Sequence, residues 1–250
     1  MNIKNKFNKK GLRYFLLAAL IAIAGLSSIY LRLTFLATPK EADKIEGSSA
    51  LLSSQEPKKE TVVLKENAYI EIPYTVQAPN SRWDVHEESC EEAAALMYHY
   101  FLIGNKEKNI SPETANKDML KMISWQKKNY GSEPDLKITA FGNFMNSYYG
   151  YSHKIIDATK ENIMKSISAG KPVIVPVMTH ALKNPHYGPR DSYHLLLIKG
   201  YDKSGVITND AGVSQGRNFR YTWETLFLAI DAQTPVLKQG RIAIYLTKDQ

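Results

Sequence analysis

The strongest constraint on what this chain can fold into is an uncharged run from Tyr14 to Leu31, set close behind Lys4, Lys6, Lys9, Lys10 and Arg13. Eighteen such residues just span the hydrocarbon core of a bilayer as a helix. Apolar character continues past Arg32 into Leu33–Ala37. The basic cluster ahead of the run holds that end in the cytoplasm and sends the rest of the chain across the membrane. Residues 1–13 are therefore expected to form a cytoplasmic basic segment, and residues 14–37 a single-pass transmembrane anchor. The alternative is a cleaved signal segment, because Ala22-Ile23-Ala24 has a small-x-small form, and the product would then be secreted. Under either reading residues 38–67, rich in Ser, Lys and Glu, are a flexible linker. Residues 68–250 then fold outside the cytoplasm as one domain large enough for a sizeable core.

The net charge of +7 does not indicate a nucleic-acid partner. Residues 1–44 hold eight Lys and Arg against only Glu41 and Asp43, whereas the remainder carries 24 basic and 23 acidic side chains. The excess is topogenic charge beside the membrane, not a binding face.

Within residues 68–250 helical signals come first. Ser111, Pro112 and Gly131 read as cap, first position and stop of one helix. Ile138–Tyr149 ends at Gly150, and Lys160–Ser168 ends near Gly170. Strand signals follow: Pro172–Met178, His194–Tyr201, the turn Asp202–Gly205, Val206–Thr208, and Arg241–Thr247. Helices followed by antiparallel strands predict an α+β domain of two segregated layers, a helical layer packed on an antiparallel sheet. The polar loop between Met178 and Tyr193 is long enough to be functional.

Cys90 is the only cysteine. No intramolecular disulfide and no thiolate-rich metal centre can form, which leaves a buried core thiol or a nucleophile. Ser89 and Glu92 have capping-box spacing, so Cys90 is expected at the first position of a helix that continues through Ala93, Leu96, Met97, Tyr100 and Phe101. A helix start favours thiolate, but Glu91 and Glu92 oppose it. An activated thiol therefore needs a further partner. His99 falls on the opposite side of the same helix, and His86, His153, His180 and His186 lie in polar or strand-start positions. His194 opens a strand of apolar residues that holds its backbone rigidly. The hairpin after it returns the chain to Asn209 and Asp210, where the carboxylate can orient the imidazole. Gln77 follows an extended segment and can enter the cleft as an amide donor to an oxyanion; a surface glutamine is the plainer reading. Trp83, Tyr187 and Trp223 could line a cleft or fill the core.

The ordered phrases Ile72–Pro79, Trp83-Asp84, Glu88–Ala93, Gly170–Val175, His194–Asp202 and Thr208–Gly212 resemble the cysteine-peptidase family thirty-nine-like domain. That group is related to the peptidases that remove double-glycine leaders from bacteriocins, in the papain-like clan. The resemblance implies a papain-like fold with Cys90 as nucleophile, His194 as base, Asp210 as orienter and Gln77 as oxyanion donor. It implies no metal and no organic cofactor. Bacteriocin-processing members typically precede a transporter and an ATPase on the same chain in the cytoplasm; with its domain expected to face outward, leader removal coupled to export is not the role expected here. The function expected is hydrolysis of a peptide or isopeptide bond in a peptide or protein substrate by a membrane-attached, exported enzyme. The alternatives are a cell-wall peptidoglycan amidase or endopeptidase of the same clan, and a catalytically silent peptide-binding domain.

Overall fold

The central strands are apolar in both registers, and that pattern decides the architecture. The computed structural model of the protein describes residues 64–132 and 135–248. Its helices are α1 (Trp83–His86), α2 (Cys90–Leu102), α3 (Pro112–Tyr130), α4 (Ile138–Tyr149), α5 (Lys160–Ser168) and α6 (Trp223–Leu237). Its strands are β1 (Ala68–Tyr69), β2 (Ser152–Asp157), β3 (Val173–Met178), β4 (Tyr193–Tyr201), β5 (Gly205–Asn209), β6 (Arg217–Thr222) and β7 (Ile242–Thr247). All seven strands join one antiparallel sheet in the order β2-β7-β3-β4-β5-β6, with β1 paired to β4.

Every residue of β3 is buried, and so is all of β4 after Tyr193. Ile174, Leu195, Leu197, Ile244 and Leu246 meet α2, α3 and α4 on one face. Val173, Val175, Val177, Leu196 and Ile198 meet α5 and α6 on the other. A strand buried on both sides needs cover on both sides, so the single expected helical layer becomes two, with the sheet between them. The α+β class and the antiparallel sheet are as expected; the layering is the correction.

The helix boundaries follow local chemistry. Ser111 Oγ accepts the Thr114 N–H at 3.2 Å, Pro112 stands in the first turn, and Gly131 ends α3 at φ 76°. Two elements carry no clear sequence signal. In β6 the residues alternate between half-covered and exposed, with only Tyr221 buried, as suits an edge strand. Helix α6 buries Leu226, Ala229, Ile230 and Gln233 at helical spacing and carries Pro235 in its last turns, where a proline ordinarily signals a break.

The predicted cytoplasmic segment 1–13, the apolar segment 14–37 and most of the linker lie outside the described residues; linker residues 64–67 are exposed. Among the described residues no helix is long and apolar enough to cross a membrane.

Candidate active site

Cys90 begins α2, as its setting predicts, and is buried. The capping box does not form. Ser89 makes no side-chain cap; its hydroxyl meets His86 Nδ1 at 3.0 Å, and His86 Nε2 meets Asn116 Oδ1 at 2.9 Å. Glu92 receives a hydrogen bond from Gln126 Nε2 of α3. Ser89 has turned back to His86, three residues earlier, and Glu92 across to α3, so neither serves the local motif, and His86 is a buried structural bridge. The helix is tied to the sheet by Tyr98, whose hydroxyl donates to the Pro172 carbonyl at 2.8 Å and accepts the Leu246 N–H at 2.9 Å. Cys90 therefore rides on a rigid support.

The thiol donates to Glu91 Oε2 at 2.9 Å, while Glu91 Oε1 accepts the Leu136 N–H at 2.8 Å. Burial pushes the Cys90 thiol well above its usual range, and the charge and hydrogen bond of Glu91 push it further; the Leu195 N–H pulls the other way. Glu91 is itself lifted by burial to about 8, against the pull of its bonds from Cys90 and Leu136.

His194 and Asp210 form the second buried pair, with Nε2 3.0 Å from Oδ1. The contact is at ion-pair distance without the alignment of a straight hydrogen bond, since Nε2 lacks one. Oδ1 also accepts from the Tyr187 hydroxyl at 2.7 Å and the Gly212 N–H at 3.1 Å. Oδ2 accepts from the Tyr221 hydroxyl at 2.5 Å and from Asn184 Nδ2 at 3.5 Å. Burial alone would raise this carboxyl; His194, Tyr187 and Tyr221 outweigh it and hold Asp210 below the usual carboxylate value. Two glycines make the cage possible. A Cβ at Gly212 would collide with the Tyr187 ring and hydroxyl, and one at Gly216 would collide with the Asp210 carbonyl.

Strand parity gives His194 the side of Leu196 and Ile198, opposite the face that packs on α2. It shares a cleft with Cys90 because it stands at the sheet's rim, one residue into β4. The cleft, about 280 Å³, is lined by Gln77, Trp83, Cys90, Tyr187, Tyr193 and His194 among others. Gln77 is pinned by its N–H to the Ala211 carbonyl at 2.8 Å, beside Asp210. Its side-chain Nε2 donates to the carbonyls of His86 at 3.2 Å and Glu87 at 2.6 Å. Trp83 is half exposed in the wall, whereas Trp223 packs elsewhere, against Phe227 and under Lys160.

The remaining histidines do other work. His99 stacks on Tyr149 at 4.1 Å, as its place across the helix requires, and His153 packs on Gly142. His186 lines the cleft, and His180 opens a short turn. Sequence reasoning missed Asn184 and Tyr221, which reach Asp210 from a loop and an edge strand and carry no local signal. Among the described residues no group of three or more His, Cys, Asp or Glu could hold a metal ion.

A helix-start thiol sharing a cleft with a buried imidazole–carboxylate pair is the layout of a cysteine-type peptidase. The Peptidase_C39 like family model matches residues 69–236, and the chain belongs to that family. It is a cysteine-type peptidase and its substrate is a peptide or protein. Three solved structures are similar. A protein from Bacillus anthracis described as a C39-like peptidase is 14% identical over 74% of this chain and 100% of its own, with a TM-score of 0.49. The peptidase domain of Streptococcus ComA, a bifunctional ABC transporter in a quorum-sensing pathway, is 13% identical over 72% of this chain and 100% of its own, at 0.42. Xylellain, a cysteine protease from Xylella fastidiosa, is 10% identical over 85% of this chain and 95% of its own, at 0.33. No curated protein sequence matches the chain.

Proposed function

We propose that the protein is a membrane-anchored, exported peptidase that hydrolyses a peptide or isopeptide bond through Cys90, His194 and Asp210. The observation that carries this reading is the buried His194–Asp210 pair, 3.0 Å apart, in the cleft that also holds Cys90. Asp210 engages Nε2, which leaves Nδ1 to take the thiol proton and later deliver it to the leaving amine. Sulfur attacks the carbonyl carbon, the amine departs with that proton, and water then cleaves the thioester. The developing oxyanion has the Cys90 N–H, which at a helix start has no intrahelical acceptor. Gln77 is the second donor, and it serves once one of its bonds to the His86 and Glu87 carbonyls is released. Anchoring and export rest on the basic cluster and the apolar run of residues 4–31.

The test is hydrolysis of a peptide library and of purified cell wall, run in parallel, by the unmodified chain, Cys90→Ala and His194→Ala. Cys90→Ala is expected to abolish hydrolysis with the fold retained, and His194→Ala to lower kcat/KM by about 10²–10⁴-fold. Undiminished turnover by Cys90→Ala ends the proposal, and the substrate that is cut separates protein from cell-wall targets.

A further inference from the structure

The thiol at the centre of the cleft does not direct its proton to the imidazole. Cys90 donates to Glu91 Oε2, and the same carboxyl is clamped by the Leu136 N–H on its other oxygen. Cys90, Glu91 and Leu136 are all buried. The Leu136 peptide is gripped from its other side by Tyr193, whose hydroxyl donates to the Leu136 carbonyl at 2.9 Å, and Tyr193 lines the cleft. A glutamate in the first turn of a helix ordinarily points to water, where it already gains from the helix dipole. Burying it costs desolvation, so a carboxyl held inward and aimed at the only thiol requires a reason beyond helix stability.

We infer that Glu91 is a positioning residue that keeps the Cys90 thiol protonated and turned away from His194 until substrate enters the cleft. The inference rests on Cys90 being the nucleophile. The titratable groups facing Glu91 are Cys90 on its own helix, Asp135 from the segment before α4, and Tyr193 from β4, while the charge of Glu92 acts on Cys90. None of these is a cation, so an ionised Glu91 repels a thiolate and the two groups titrate as a pair. Tyr193 gives the device its connection to substrate: a peptide that engages this side chain acts on the Leu136 peptide, and through it on the carboxyl.

With a single cysteine in the chain, alkylation by iodoacetamide reads Cys90 alone. The rate is followed against pH for the unmodified full-length chain and for Glu91→Gln, which keeps an oxygen for the Leu136 N–H and removes the charge. The unmodified chain is expected to react slowly, with its half-maximal rate above the free-thiol value of about 8.5. Glu91→Gln is expected to move the profile to lower pH, with the rate at pH 8 rising about tenfold for every whole pH step by which the midpoint falls. The S–H stretching band of the unmodified protein supplies a second reading that needs no variant, and it is expected to persist above pH of about 8.5. A profile unchanged by Glu91→Gln, or an S–H band lost below neutral pH, overturns the inference. Peptide hydrolysis measured on the same samples keeps the two proposals apart. A displaced profile without turnover leaves the hold of Glu91 on the thiol proton standing, and overturns the peptidase reading of the site together with the substrate-gated part of the role. Turnover with an unmoved profile does the reverse.

Discussion

Asp210 and Glu91 are both buried carboxylic acids, each touching one member of the proposed reacting pair, and they are driven in opposite directions. Asp210 is surrounded by donors: two tyrosine hydroxyls, a backbone N–H, an asparagine amide and the His194 ring. Glu91 has the Leu136 N–H, its own N–H and a weak S–H donor, and Asp135 nearby adds repulsion. Desolvation is the largest influence on each. The number and strength of donors, not burial, decides which carboxyl stays ionised. The His194 side of the cleft thus carries a carboxylate held ionised, while the Cys90 side holds its thiol and carboxyl towards their neutral forms.

The harshest way to break this comparison is to empty the donor-rich side. Asp210→Ala leaves two tyrosine hydroxyls without their acceptor and the buried imidazole without its charge partner, and is expected to cost about 3–5 kcal/mol in urea unfolding. A loss below about 1 kcal/mol would show that the cage does not hold this end of the sheet. Tyr221→Phe removes one donor to a charged group, with an expected loss of about 1.5–3 kcal/mol. It should also raise the Asp210 carboxyl and so move the acid limb of the activity profile to higher pH; an unmoved limb would separate Tyr221 from the charge balance.

The smallest effect is the pH slope of stability. Glu91 has its folded value raised to about 8 from an ordinary value near 4.5, so its proton favours the folded state. That contribution is complete below about 4.5 and is lost as pH rises towards about 8, at a slope on the order of 1 kcal/mol for each pH unit between them. Asp210 is lowered, so its contribution is lost only as pH falls below its ordinary 3.8. Thermal unfolding across pH should therefore decline on both sides for different reasons. Glu91→Gln should flatten the alkaline decline alone, and an unchanged slope in that variant would assign it to another group.

Much of this site is legible in the amino-acid sequence. The lone Cys90 at a helix start, His194 opening an apolar strand and Asp210 after the return strand are each tied to a local signal. Helices α3, α4 and α5 announce their ends through Ser111, Pro112 and their terminal glycines. The capping box misleads because Ser89 is taken by His86, three residues before it, and Glu92 by Gln126 of α3, 34 residues away. Edge strand β6 escapes notice because an edge needs little apolar patterning, and α6 because Pro235 reads as a stop.

The sequence by itself determined the reactive residue types, their order, and the conflict between a helix-start thiol and the glutamate beside it. Those are properties of covalent neighbours and of periodicity, which act over one or two turns of chain. Only the tertiary structure decided how each charge is settled. Asn184 and Tyr187 from one loop and Tyr221 from an edge strand converge on Asp210, and Leu136 reaches Glu91 across 45 residues. Burial and donor count are sums over space, and two carboxyls that look alike in the sequence acquire opposite tendencies only when the chain has closed around them.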